Sequence, residues 1–387
     1  MTSSFPSIKY ELLNGPQVSK WKNPAIIVLI LFLCYFSWYA LDNRVKPGNR
    51  ERMTVFASTD KKRYLSSDLA APNRLGNHLF EFASLYGISQ QLNRIPAFWV
   101  EDEAYGRMLE YTKEIVPGLV DQFTVFKGKP PKTLNHTKFH EKCCTFDNPE
   151  RLESYTDDYL HLTGHFYQSW KYFAERRYEI ISYLRPRKSF KILPKSDENT
   201  LVTCVHARRG DFKGVGFYAA DKHFIRKAVE FIQNQEKRKK HTTQMTVMFG
   251  DDQKFMKEVF PGTVASDAWT ADVKPTTVPF VSANSPADDL LYSSQHCDTV
   301  LISAPVSTFG WWIGYLSKGN RVFYLDVTTV PDGLYKSGQL KTDDFYLPKW
   351  TALKLSADNS TVIDSPDNAL GSKRPPVASS FRWALLA

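Results

Sequence analysis

Six consecutive residues, His206-Ala207-Arg208-Arg209-Gly210-Asp211, carry the densest chemistry in the chain. Two adjacent guanidiniums offer forks whose geometry matches the oxygens of a pyrophosphate. Gly210 lets the backbone turn sharply or approach a ligand closely, and Asp211 can steady one arginine from behind. A structural ion pair at a strand end would use the same residues, and the string alone does not separate the two readings. A second segment, Val306-Ser307-Thr308-Phe309-Gly310-Trp311-Trp312, places hydroxyls and free amides where a helix begins, which is enough for an anion site. Ordinary N-capping by Ser307 accounts for it equally well. Leu75-Gly76-Asn77 is a third candidate, a glycine turn that could bring backbone close to a ligand. The fourth is Asp251-Asp252, two carboxylates after a strand. They lack the spacer of an Asp-x-Asp pair, so metal binding is the minor reading there. No Gly-x-x-x-x-Gly-Lys-Ser/Thr run occurs, which sets aside a P-loop sulfotransferase.

These residues must be positioned by strands and helices, and the pattern is clearest from residue 200 onward. Leu201 to His206 reads as a buried strand, so the arginine motif lies just past a carboxyl end, where α/β sheets keep their ligand sites. A helix is expected over about Asp221 to Lys240, its cationic close Lys237-Arg238-Lys239-Lys240 suiting the negative end of the dipole. The strand Met245–Phe249 runs into Gly250-Asp251-Asp252. Pro286 to His296 reads as a helix with proline at its start and Asp288 and Asp289 in the first turn. Thr299–Ser303 is a strand, Ser307 can cap a helix over Thr308–Leu316, Gly319 ends that helix, and Arg321–Leu325 returns as a strand. Upstream, residues 73–77 form a turn opening the helix His78–Leu92, followed by the strand Ile95–Val100. Residues 101–195 give no readable pattern. Strands alternating with helices imply parallel βαβ units, hence an α/β fold.

A net charge of 50 − 41 = +9 fits phosphate-bearing small molecules or anionic surfaces, and with no long basic tract it gives no case for nucleic acid. The 14% aromatic share serves core packing first and sugar or base stacking second. Asn23 to Leu41 contains no charged residue; as a helix it would span about 28 Å, close to the hydrocarbon thickness of a bilayer. With 22 residues ahead of it and a poor cleavage site at Trp38-Tyr39-Ala40-Leu41, it reads as an uncleaved signal anchor. Lys9, Lys20 and Lys22 before the run are outnumbered by Arg44, Lys46, Arg50 and Arg52 after it, so flanking charge does not put the N-terminus in the cytoplasm. The sequons at Asn135 and Asn359 favour a lumenal body. Cys143, Cys144, Cys204 and Cys297 permit up to two disulfides in any of three pairings. The expected organisation is a cytoplasmic tail over residues 1–22, a transmembrane anchor over 23–41, a stem over 42–71, two domains over 72–197 and 198–350, and a loose tail over 351–387.

Taken in order, the motifs resemble a family. Asn73-Arg74-Leu75-Gly76-Asn77-His78-Leu79-Phe80 is similar to the Gly-x-Leu-Gly-Asn-Gln-x-Phe opening of the α-1,2-fucosyltransferases, glycosyltransferase family 11. His206–Phe212 resembles their His-x-Arg-Arg-Gly-Asp-Tyr motif, Asp289–Gln295 their Asp-x-x-x-(Leu)-Ser-Gln helix, and Ser307–Trp312 their Ser-Thr-Phe-Gly-x-Trp segment. The resemblance covers about residues 72–330, and the overall arrangement looks like a nematode-like, type II membrane member. It implies a GT-B-like fold of two Rossmann-type domains, residues 72–197 on the acceptor side and 198–350 binding GDP-fucose. The implied reaction is metal-independent, inverting transfer of fucose to a galactose 2-hydroxyl on a glycoprotein or glycolipid of the Golgi lumen. Arg208 would hold the β-phosphate beside His206 and Arg209, Asp289 would accept from guanine, and Ser307 and Thr308 would touch the phosphates near Gly76 and Asn77. Arg208, Asp211 and His206 are the catalytic candidates, with Asp211, Glu81 and His78 weighed as the general base. Asn73, Arg74 and His78 depart from the family pattern. No cofactor is expected; partners are GDP-fucose, a galactose-ended glycan and the Golgi membrane, with a homodimer left open. Other acceptors, or a silent membrane-anchored nucleotide- or glycan-binding protein, are the alternatives.

Overall fold

Thirteen short strands account for most of the framework in this computed structural model, which describes residues 62–132, 134–190, 192–236, 243–260, 264–265 and 279–365. All of them belong to one compact unit, Lys61–Ala387. In chain order the strands are β1 (Tyr64–Ser67), β2 (Ile95–Val100), β3 (Thr124–Lys127), β4 (Asn135–Thr137), β5 (Tyr159–Leu162), β6 (Thr200–Ala207), β7 (Thr243–Gly250), β8 (Val264–Ala265), β9 (Phe280–Val281), β10 (Thr299–Ile302), β11 (Arg321–Leu325), β12 (Thr351–Leu355) and β13 (Val362–Asp364). The longer helices are α1 (Leu75–Gln91), α2 (Glu103–Ile115), α3 (Arg177–Ser182), α4 (Lys222–Glu236), α5 (Gln253–Val259), α6 (Pro286–His296) and α7 (Thr308–Leu316).

The strands form two sheets. The first is wholly parallel in the order β3-β2-β1-β5-β4. The second runs β13-β12-β11-β10-β6-β7-β9-β8 and is parallel except where β12 meets β13. Residues Leu201 to Ala207 of β6 are buried without interruption, the pattern of a central strand covered by helices on both faces. The fold is therefore mixed α/β and Rossmann-like. In the larger sheet β7 lies on one side of β6 and the returning β10 on the other, with Ile302 opposite His206. That reversal is the switch point at which open α/β sheets leave a crevice for ligand.

One apolar core runs through both sheets, joining Leu65, Phe80 and Leu160 from the first half to Val202, Trp311 and Trp312 from the second. A smaller core lies on the other face of the large sheet, where Val205, Met248 and Leu301 meet Phe224, Ala228 and Met256. α7 is apolar all round and buried from Gly310 to Leu316, as a helix enclosed on every side must be. Its Trp311 lies 4.5 Å from the Phe80 ring of α1, and Trp312 stacks on Phe173 at 5.8 Å.

Several expectations change. β1, the middle strand of the first sheet, falls within residues assigned to a stem, and β12 and β13 fall within the supposed tail. The first helix starts at Leu75, so Gly76 and Asn77 form its first turn instead of a loop before it. α7 closes at Ser317, whose N–H bonds Gly314, while Gly319 is needed where it abuts the carbonyl of Asp298. The four cysteines pair as Cys143–Cys144 and Cys204–Cys297. The apolar run at residues 23–41 and the basic run at 237–240 lie outside the described residues. Among the described residues, no helix is long and apolar enough to cross a membrane.

Candidate active site

The chain leaves the large sheet at Arg208, whose side chain is only 14% exposed. Its Nε and Nη2 donate to Asp211 Oδ1 at 3.1 and 2.8 Å, and Nη1 lies 3.2 Å from Asp251 Oδ2. Asp211 in turn reaches Arg74 at 3.4 Å, tying the loop before α1 to the loop after β6. The two neighbouring arginines have separate partners. Arg209 donates to the Ala220 carbonyl, lies 4.0 Å above the Phe255 ring and stands 3.6 Å from Asp252. There it lines an open pocket of about 350 Å³ with Lys213, Lys222 and Lys254. A joint grip of Arg208 and Arg209 on one pyrophosphate, expected from the sequence, is not the arrangement found. A Cβ on Gly210 would lie 2.4 Å from Asp251 Oδ2, so a larger residue there would push that carboxylate aside.

His206 also differs from expectation. It is 1% exposed, and a Cβ on Gly310 would come within 2.5 Å of its Nδ1. Burial and the charge of Arg208 push its pKa down to about 3, so it is neutral. The ring is sealed beneath the first turn of α7.

Opposite Arg208, β10 ends at Ile302, and the chain passes through Ser303, whose hydroxyl donates to the His206 carbonyl at 2.7 Å, to the N-terminus of α7. Ser307 Oγ caps α7 by accepting from the Gly310 N–H, as its sequence position indicates. Thr308 Oγ1 donates to Asn77 Oδ1 at 2.8 Å, and Gln168 supplies Asn77 with a second donor at 3.2 Å. Trp312 Nε1 donates to the Gly76 carbonyl at 3.0 Å. A Cβ on Gly76 would lie 2.6 Å from the Phe309 nitrogen. The close approach expected at Gly76 is therefore to another helix rather than to a ligand. The first turns of α1 and α7 thus meet, and their dipoles add positive potential beside Arg208.

Asp289 lies on the same carboxyl edge but apart from the arginines. It is buried in the first turn of α6, accepts from Ser282 Oγ at 2.5 Å, and is pushed up to about 8 by desolvation. Two of the three residues weighed as a base are sealed. Glu81 is fully buried, holding the N–H groups of Ala70 and Phe166 with Oε1 while Oε2 has no partner. His78 is 2% exposed and bonds the Ala71 carbonyl. Asp251 as a partner of Arg208, and Arg74 as a partner of Asp211, were not singled out from sequence. The signal existed for Asp251: in parallel strands β6 and β7, Ala207 registers with Gly250, so the residues beyond them are neighbours. Asp251 and Asp252 spend their carboxylates on Arg208, Arg209 and Lys213.

A Rossmann-like chain with an arginine fork and a helix N-terminus at its switch point is a binding protein for a phosphorylated ligand. The family model described as "Glycosyl transferase family 11" matches residues 43–354. The chain belongs to that family. It is 43% identical, over 88% of its length and 93% of the other's, to a Caenorhabditis elegans protein carried under the name of a candidate galactoside 2-alpha-L-fucosyltransferase. A second relative from that organism, named galactoside 2-alpha-L-fucosyltransferase, is 33% identical over 72% of this chain and 74% of its own. A solved structure of NodZ alpha-1,6-fucosyltransferase soaked with GDP-fucose covers 79% of this chain and 100% of that one, at 12% identity and a TM-score of 0.36.

Proposed function

We propose that this chain is an inverting galactoside 2-fucosyltransferase that moves fucose from GDP-fucose to the 2-hydroxyl of a galactose-ended glycan. The observation that carries the reading is Arg208, held at the carboxyl end of β6 opposite the N-terminus of α7. Charge that develops on the departing GDP would meet a guanidinium and helix amides in a partly dry cleft. Family membership and the names of the relatives support fucose as the group transferred and galactose as the acceptor. The two sheets correspond to the halves of a GT-B-like fold. The site's own bonds refine the roles. Asp211 occupies the Nε–Nη2 edge of Arg208, so a phosphate takes that edge as Asp211 turns to Arg74. Thr308 has committed its hydroxyl to Asn77 and offers its backbone N–H, whereas the Ser307 hydroxyl proton is free to donate. Buried Asp289 accepts from the guanine.

The reaction needs no metal in this reading, because cationic side chains and helix amides supply the stabilisation. The test is transfer from GDP-fucose to a panel of glycan acceptors, with and without excess chelator. Transfer to terminal galactosides undiminished by chelator is expected. Loss in chelator, restored by Mg²⁺ or Mn²⁺, would return Asp251 and Asp252 to the role of ligands.

The body is proposed to lie in the Golgi lumen behind the anchor at residues 23–41. Two disulfides fit an oxidising compartment, and the sequon residue Asn359 is exposed in the turn between β12 and β13. Protein made in an animal cell should lose mass on enzymatic removal of N-glycans; an unshifted band would count against lumenal exposure.

A further inference from the structure

Inverting transfer leaves one chemical need unmet by the residues above: a group to receive the proton of the acceptor hydroxyl. Glu81 and Asp289 are buried, and Asp211 and Asp251 are paired with arginine. The first half of the chain holds another carboxylate at the equivalent place in its own sheet. Asp68 is the first residue beyond β1, the central strand, and its backbone N–H bonds Leu162 at the end of β5. The loop it opens leads within seven residues to Leu75 and the first turn of α1, which touches Thr308 and Phe309. The loops that leave β1 and β10 thus both lead to the pair of helix N-termini that touch.

The surroundings of Asp68 are those of a prepared base. Its side chain is 52% exposed, while the His161 ring behind it is 1% exposed, with Nε2 3.0 Å from Asp68 Oδ1. His161 Nδ1 lies 2.6 Å from Ser66 Oγ. If Ser66 donates to Nδ1, Nε2 carries the hydrogen and donates to the carboxylate, so the buried ring fixes the exposed group. The His161 hydrogen bond, with the fields of His161, His136 and His165, holds the Asp68 carboxyl below its usual range against the opposing effect of burial. Glu101, the residue after β2, and Tyr105 of α2 face the same edge, Tyr105 donating to the Leu69 carbonyl at 3.3 Å.

We propose that Asp68 is the general base of the reaction, oriented by His161 as a positioning residue. This rests on the fucosyl-transfer reading. The acceptor oxygen bonds to the anomeric carbon as that carbon's bond to the β-phosphate oxygen breaks. The electron pair leaves with GDP toward Arg208, and the hydroxyl proton passes to Asp68. A weakly basic carboxylate suffices when the sugar carbon is already electron-poor, because the attacking hydroxyl becomes acidic as its bond forms.

The experiment uses the full-length protein in detergent with GDP-fucose and a galactoside acceptor. Asp68→Asn should lower kcat at least about 100-fold, within the usual range for a lost general base. Its GDP affinity by calorimetry and its thermal midpoint should stay near the parent's. Asp68→Glu should recover part of the rate, and Glu101→Gln should retain it. His161→Gln should lose less than Asp68→Asn, mainly in kcat. If Asp68→Asn unfolds, recovery in the soluble Asp68→Glu variant remains the expected result, and a parent-like rate in Asp68→Ala overturns the proposal. A parent that transfers fucose while Asp68→Asn stays within about threefold of it overturns this proposal alone. A parent with no transfer to any acceptor overturns the functional reading and this proposal with it.

Discussion

Arg208, the proposed ligand of the donor phosphate, is already shared between two carboxylates. A charge-assisted contact is worth about 1.5–3 kcal/mol, and more as charge moves onto the leaving phosphate. Arg208→Lys keeps the charge but loses the planar fork, so kcat/KM should fall at least about tenfold. Arg208→Ala should be nearly inactive with an intact melt; inactivity only through unfolding would return the motif to a structural ion pair. A second prediction concerns buried carboxyls. Asp289 and Glu81 are raised by burial to about 8 and about 7, so between pH 4 and those values the folded state binds more protons than the unfolded chain. Their contribution to stability is present below about pH 4 and is lost as pH rises through the folded values. His78, His140 and His206, lowered by burial to about 4, 4 and 3, act oppositely below pH 6.5, where the unfolded chain takes up protons they refuse. Of these five groups the two carboxyls alone still titrate above pH 6.5, so their effect is a decline of the thermal midpoint toward pH 8. Asp289→Asn should flatten that decline, and an unchanged slope would show that Asp289 does not hold its proton.

Among the elements, α1 and α7 do the most to build the site, because their first turns touch. Gly76 leaves no room for a methyl: the nearest backbone atom would be 2.6 Å away. Gly76→Ala should destabilise by about 1–3 kcal/mol through overpacking and should weaken GDP binding by pulling Thr308 from Asn77. Gly106 in α2 meets nothing within 4 Å, so Gly106→Ala should be neutral or stabilising. Equal melts for the two variants would contradict the close approach. Elements with strong local signals were legible in the sequence. α6 runs over the expected Pro286–His296, with proline at its start and Ser285 capping, and α7 follows its Ser307 cap. β1 was not legible, because Tyr-Leu-Ser-Ser is too short to show alternation and gains its identity from pairing with β2 and β5. The same holds for β3 to β5, strands of three or four residues whose partners are distant in sequence.

At the scale of the molecule, the two sheets share one continuous core, so the halves are braced as well as linked. Arg177 of α3 donates to the carbonyls of Tyr315 and Ser317, and Lys171 pairs with Asp344 at 2.6 Å. Such bracing holds the first turns of α1 and α7 against each other. The separation of Arg208 from Arg209 is a fact of this scale too, fixed by which loop each guanidinium meets. The most direct test of the account is the product itself. The protein is incubated with GDP-fucose and a terminal β-galactoside, and the isolated glycan is read by nuclear magnetic resonance. The account predicts fucose joined through an inverted anomeric carbon to O2 of galactose, with one GDP released for each fucose transferred. Fucose on another hydroxyl, retention at the anomeric carbon, or GDP released only with free fucose would contradict it.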